Sequence, residues 1–142
     1  MQNQTIVGNS EMLIQALGRW PLFHDARVVA GSRTSDTQSV SLHVFNMTDR
    51  VDEQGHFELE RHHRVEFIFS GVEKNTLPID YSDDCLDSLT FAKLDERPDS
   101  KIIAVFSSHL DADGEIICER VELVSVAPCS ALGESTSFSA SV

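Results

Sequence analysis

Between residues 37 and 72 the chain alternates apolar and polar positions with a period of two. In TQSVSLHVFNM, Val40, Leu42 and Val44 fall on one side; in RHHRVEFIFSGV, Val65, Phe67 and Phe69 share a face opposed by Arg64, Glu66 and Ser70. That spacing predicts two strands with one buried face each, because successive side chains of a strand leave on opposite sides. Ile68 breaks the alternation and implies that part of the outer face is covered. Between the runs, VDEQGHF has the composition of a tight hairpin turn in which Gly55 takes a positive φ. The strand around 40 to 51 is therefore expected to pair antiparallel with the one around 56 to 70.

Upstream, NSEMLIQALGRW carries Met12, Leu13, Ala16 and Leu17 at helical spacing, with Asn9 or Ser10 as the N-cap and Glu11 in the first turn. Gly18 is placed to end this short helix in a left-handed conformation. ARVVAGSR then reads as a first strand. Downstream, LPIDYSDDCLDSLTFAKLDERPDS is rich in aspartate and only weakly periodic at Leu86, Leu89, Phe91 and Leu94; it predicts a strand over about 87 to 94 after an exposed DYSDD loop. KIIAVFSSHL and EIICERVELVSV read as two further strands joined by an Asp-Gly turn in DADG. One short N-terminal helix followed by about six strands in hairpin order predicts a mainly β (α+β) fold, an antiparallel curled sheet or barrel-like roll with the helix on one face. The expected division is a flexible start over 1 to 8, a single domain over 9 to 129, and a disordered tail over 130 to 142.

Length agrees with one core: 142 residues make about one domain. No apolar run is long enough to cross a bilayer, and the first residues lack the basic and apolar regions of a secretion signal, so a cytoplasmic location is expected. Cys85, Cys118 and Cys129 are odd in number and widely spaced, without the paired spacing of a zinc site, and are expected as free thiols that fill the core. The 23 acidic against 11 basic residues leave a formal net charge of -12. Such a field disfavours direct binding to nucleic acid or an anionic membrane. It suits either plain solubility or a basic protein partner.

The corner GRWPLFHDARVV places an adjacent His24-Asp25 pair after Trp20, Pro21 and Phe23. Nucleophilic catalysis needs a carboxylate on one imidazole nitrogen and a Ser or Cys nucleophile at the other. Neighbours on an extended segment point apart, so the pair is expected to act as joinery, with Pro21 stiffening the turn, Trp20 and Phe23 plugging the core, and His24 or Asp25 meeting backbone groups. The alternative is a small metal-dependent enzyme built on His24 and Asp25. Of the other histidines, His62 and His63 project oppositely if extended, so at most one joins His43 or His56, and no metal-binding spacing is present. DADGE lacks the spacing of a calcium loop. Phosphate-cradling and nucleophile-elbow motifs are missing as well, so neither an enzyme nor a cofactor is expected. The remaining candidates are the acidic loops, Asp49, Asp52 and Glu53 on one, Asp80, Asp83, Asp84 and Asp87 with Tyr81 on another, as an edge for binding a protein.

WPLFHDARV (20 to 28), then SLHVFNMTDRVDEQGHFELERHHRVEFIFSGV (41 to 72), then SSHLDADGEIICERVELVSV (107 to 126) together resemble the immunity protein 50 family of bacterial polymorphic toxin systems. The likeness runs over roughly residues 12 to 128. It implies a small cytoplasmic protein that binds and neutralises a cognate toxin without catalysis, and the acidic field of the chain suits a toxin that is basic, as many that attack nucleic acid are. A generic interaction domain that associates with itself is the other non-catalytic reading. After F-x-G-V, family members tend toward F-N-x-Q-N-V, whereas this chain reads IDYSDDCLDSL, which marks a place where its partner contacts differ.

Overall fold

The computed structural model describes residues 6–55, 57–79, 81–82, 84–108 and 113–130. A short helix, α1 (Glu11–Leu17), precedes eight strands: β1 (Arg27–Arg33), β2 (Thr37–Val51), β3 (Phe57–Ser70), β4 (Lys74–Asn75), β5 (Asp84–Lys93), β6 (Ile102–Ser108), β7 (Gly114–Cys118) and β8 (Arg120–Pro128). They form one antiparallel sheet in the order β4-β7-β6-β5-β1-β2-β3-β8, which does not close into a barrel. The mainly β expectation holds, with two more strands than the sequence pattern suggests.

The additions have local causes. EIICERVELVSV is two strands, because Glu119 turns the chain out of β7 and into β8 on the far side of the sheet. β4 is only two residues long, too short to leave a periodic signal. β5 starts at Asp84, three residues before the expected 87, so the end of DYSDD is strand and not loop.

The sheet consists of two halves, β8-β3-β2-β1 and β5-β6-β7-β4, joined where β1 pairs with β5 over Arg27↔Cys85 and Val28↔Asp84. Their apolar faces meet. Val40, Leu42, Val44, Val65, Phe67 and Phe69 from the first half are buried against Leu86, Leu89, Phe91, Ala104, Phe106 and Ile116 from the second. The centre is aromatic: Phe91 lies 5.7 Å from Phe67 and 6.4 Å from Phe69, and Phe106 lies 6.0 Å from Phe69. Each such fully buried ring contributes roughly 1.5–3 kcal/mol through area removed from water. Leu13 and Leu17 fix α1 against β3 and β8, and Gly18 ends it at φ 86° as its position predicts. The N-cap works otherwise than expected: Ser10 makes no side-chain cap, and the Asn9 amide reaches Leu123 O at 3.1 Å. Ile68, the position out of phase, is partly buried.

At one corner two crossovers coincide. β3 passes through Gly71 into β4, β7 passes through Glu119 into β8, and Glu119 N donates to Ser70 O at 3.0 Å and Gly71 O at 3.2 Å. Among the described residues no helix is long and apolar enough to cross a membrane.

The pairing of β2 with β3 follows the expected hairpin, with Gly55 at φ 85° in its turn. β1 leaves β2 after His43 and β8 leaves β3 at His63, so from Phe45 to Arg61 the two strands pair only with each other among the described strands. The result is a two-stranded arm reaching roughly 20 Å beyond the roll at about 3.3 Å per residue. A lone hairpin is marginal in water, so its root needs support. Asn46 Nδ2 donates to Leu17 O at 2.7 Å, tying the arm to the last turn of α1.

Candidate functional site

The arm carries one of the two acidic groups singled out in the sequence. Asp52 and Glu53 are exposed at its turn, where Asp52 Oδ1 accepts from Gln54 N at 2.9 Å and shapes the tip. Asp49 lies in β2, and its side chain is outside the described set. Of the second group, Asp80 and Asp83 lie outside the described residues.

Tyr81 and Asp84 correct the expectation of an exposed loop, being 5% and 3% exposed. Asp84 accepts from Tyr81 OH at 3.2 Å, from its neighbour Cys85 N at 2.9 Å and from Ser108 Oγ at 2.7 Å. A buried carboxylate held this way is a joint between β5 and β6, withdrawn from any partner. No sequence period separates such an aspartate from a solvated one.

Asp87 is exposed for a specific reason. Leu86 faces Ser108 and Ser88 faces Ser107, so β5 has one extra residue there, and Asp87 is the bulge. The bulge puts Leu86 and Leu89, three apart, on the same buried face, which is why the period of two fails in this stretch. It also places Asp87 beside His24, with Oδ1 3.4 Å and its backbone O 3.2 Å from Nδ1.

His24 and Asp25 touch, contrary to the expectation that they point apart. Nε2 of His24 lies 3.6 Å from Asp25 Oδ2. The strand rule does not apply, because Phe23 and Asp25 both sit at φ 64° and the chain is a turn. A left-handed phenylalanine is strained, and its ring is locked against Trp20 at 5.7 Å and Phe67 at 6.0 Å. Asp25 N to Leu86 O and Leu86 N to Ala26 O, both 2.8 Å, rivet the corner to β5. Trp20 and Phe23 do pack into the core, and Pro21 is buried as well. Both ring nitrogens of His24 face carboxylates, which leaves neither aimed at a nucleophile. Among the described residues no three His, Cys, Asp or Glu side chains converge as metal ligands.

The corner and the arm root form the walls of an open cavity of about 400 Å3. Its walls are Trp20, Pro21, Leu22, Phe23 and Ala26 from the corner and Val44, Phe45 and Asn46 from β2, with Arg19 and His24 at its margins. Leu22, 83% exposed between buried Pro21 and Phe23, is its outer lip. Leu22 and Phe45 line one cavity that could not be read from the sequence, since the turn at Phe23 is what brings the corner to the arm root. A hollow of about 570 Å3 beside Leu94–Pro98 mixes the charged Lys93, Asp95, Glu96 and Arg97 with Ile6, Ala92, Leu94 and Pro98 and has no aromatic ring on its walls.

Behind the arm root, His43 Nε2 and His62 Nδ1 are 2.9 Å apart. One of the adjacent histidines therefore joins His43, while His63 turns to Arg61 O at 2.8 Å. His56 lies outside the described residues. Burial lowers the pKa of His43, helped by His62 and by the Arg27 and Arg64 cations on flanking strands; burial also lowers that of His62. The three cysteines are free, with Cys118 and Cys129 buried and Cys85 partly so.

Compared with models of protein families, with curated proteins and with solved structures, the chain gives no match.

Proposed function

We propose that this protein is a cytoplasmic immunity protein that binds a cognate bacterial toxin and occludes its active site, without catalysis of its own. The observation that carries the reading is the two-stranded arm with Asp52 and Glu53 exposed at its tip, on a chain of net charge -12. A projecting acidic hairpin suits insertion into a groove shaped for phosphates, and the field speeds encounter with a basic partner. The motif likeness to immunity protein 50 points the same way. A stable inhibitor needs about 1,600 Å2 of total interface, which an arm and its root supply more readily than a flat sheet face.

The test is co-expression of this chain with the toxin domain encoded beside it. Rescue of growth supports the reading; undiminished killing refutes it for that pair. Asp52→Lys with Glu53→Lys should slow association about tenfold at low salt and less at high salt.

A further inference from the structure

The cavity at the arm root is open, apolar on most of its wall, and of the size that takes a small ligand or one or two large side chains. Its mouth has an apolar lip, and two carboxylates stand close by, beside His24. Leu22 stands out at 83% exposure, an unusual position for a leucine between two buried residues. On the other side Asp25 and Asp87 flank His24, with side chains 41% and 55% exposed. Arg19 is the one cation on the wall, and Asp25 and Asp87 stand just outside it, next to His24.

We propose that this cavity is an anchor pocket that receives a large apolar side chain from a cationic protein segment, with Asp25 and Asp87 meeting the basic residues beside that side chain. This rests on the toxin-binding reading and names the chemistry of the toxin segment that docks below the arm. Charge decides among occupants: the chain as a whole carries a net charge of -12 and two carboxylates stand beside His24, which opposes a second copy of the same protein and favours a basic segment. Hot spots of interfaces are commonly apolar pockets ringed by polar groups.

Trp20 is the only tryptophan of the chain and part of the cavity wall, so its emission reports occupancy. The 142-residue chain is titrated at low salt with acetyl-Lys-Lys-Phe-Lys-Lys-amide, with the same peptide carrying Ala for Phe, and with acetyl-Glu-Glu-Phe-Glu-Glu-amide. Expected is a saturable change with the first, at least about tenfold weaker with the second and absent with the third. Leu22→Lys should abolish the response without lowering Tm, because Leu22 is exposed; Asp25→Asn with Asp87→Asn should weaken it and flatten its salt dependence. No saturable change, or equal response to the acidic peptide, overturns the proposal. So does emission that shifts with protein concentration alone, which identifies a second copy, or on deletion of residues 131–142, which identifies the chain's own tail. Protection from the toxin is scored separately. If Leu22→Lys loses the peptide but still protects cells fully, the pocket is not the toxin's anchor and the immunity reading stands. If the wild-type chain binds the peptide but does not protect, the pocket stands and the immunity reading falls.

Discussion

Nε2 of His43 on β2 faces Nδ1 of His62 on β3 across 2.9 Å, just where the arm leaves the roll. Arg61, at φ 54°, makes the bulge that brings His62 into this contact: β2 advances two residues from Val44 to Asn46 while β3 advances three from His63 to Glu60. Phe45 completes the cluster, its ring 5.9 Å from His43 and 5.6 Å from His62. Such a pair is stable with both rings neutral, one nitrogen donating and the other accepting.

The arm root should therefore loosen in mild acid. Both native pKa values are lowered from 6.5 by burial first, and that of His43 further by His62 and by the Arg27 and Arg64 cations. A base whose folded pKa is depressed contributes stability fully present above its unfolded pKa. That stability is lost as pH falls from about 6.5 toward the lowered native values, because the unfolded chain binds the proton more readily. Melting followed from pH 7.5 to 5.0 should show a larger drop in Tm for the wild type than for His62→Gln. Equal drops would remove the pair as the cause.

Asp84 should be among the costliest polar positions in the chain. Asp84→Ala removes the buried acceptor shared by Tyr81 OH, Ser108 Oγ and Cys85 N, a loss of about 2–4 kcal/mol by chemical denaturation. Asp84→Asn keeps one acceptor and should cost less. If Asp84→Ala is neutral, the carboxylate belongs on the surface after all.

Two polar contacts of the arm should differ in weight. Arg50 and Glu60 pair at 3.0 Å, but their side chains are 61% and 43% exposed, so Glu60→Ala should cost less than about 1 kcal/mol. Asn46→Ala removes the bond to Leu17 O and should cost about 1–2 kcal/mol. It should also raise amide exchange along 45 to 61 more than elsewhere, as hydrogen-exchange mass spectrometry reads directly.

Cys118 should resist alkylation in the native protein. It is fully buried, and desolvation pushes its pKa up to about 11, so at pH 8 about one thiol in a thousand is thiolate. Iodoacetamide should modify Cys85 first and reach Cys118 only after unfolding. Modification of Cys118 at the rate of Cys85 would contradict its place in the core.

What could be read in advance was what depends on period and on single turn residues. Val40 to Val44 and Val65 to Phe69 declared their buried faces, and Gly18 and Gly55 declared their turns, because each signal is local. Tyr81 and Asp84 were misread because burial of a polar side chain depends on a partner elsewhere in the chain, here Ser108 on β6. His24 and Asp25 were misread because two left-handed residues cancelled the alternation assumed for an extended segment. The bulge at Asp87 did leave a trace, the three-residue step from Leu86 to Leu89, which is legible once a bulge is considered.

Glu119 alone separates β7, which lies one strand from one end of the sheet, from β8, which forms the other end. Neighbours in the chain are thus strangers in the ladder, and β8 has no place to dock until β3 is laid down some fifty residues earlier in the chain. The hairpin of β2 and β3 can form early from local contacts, while the last strand closes a long loop, the kind of event that slows folding. Two covalent threads, Glu119 between β7 and β8 and residues 71–73 between β3 and β4, tie the two margins of the roll, and the bonds from Glu119 N to Ser70 O and Gly71 O clasp one thread to the other. A single peptide-bond break at Glu119 would therefore leave the margins joined through the second thread.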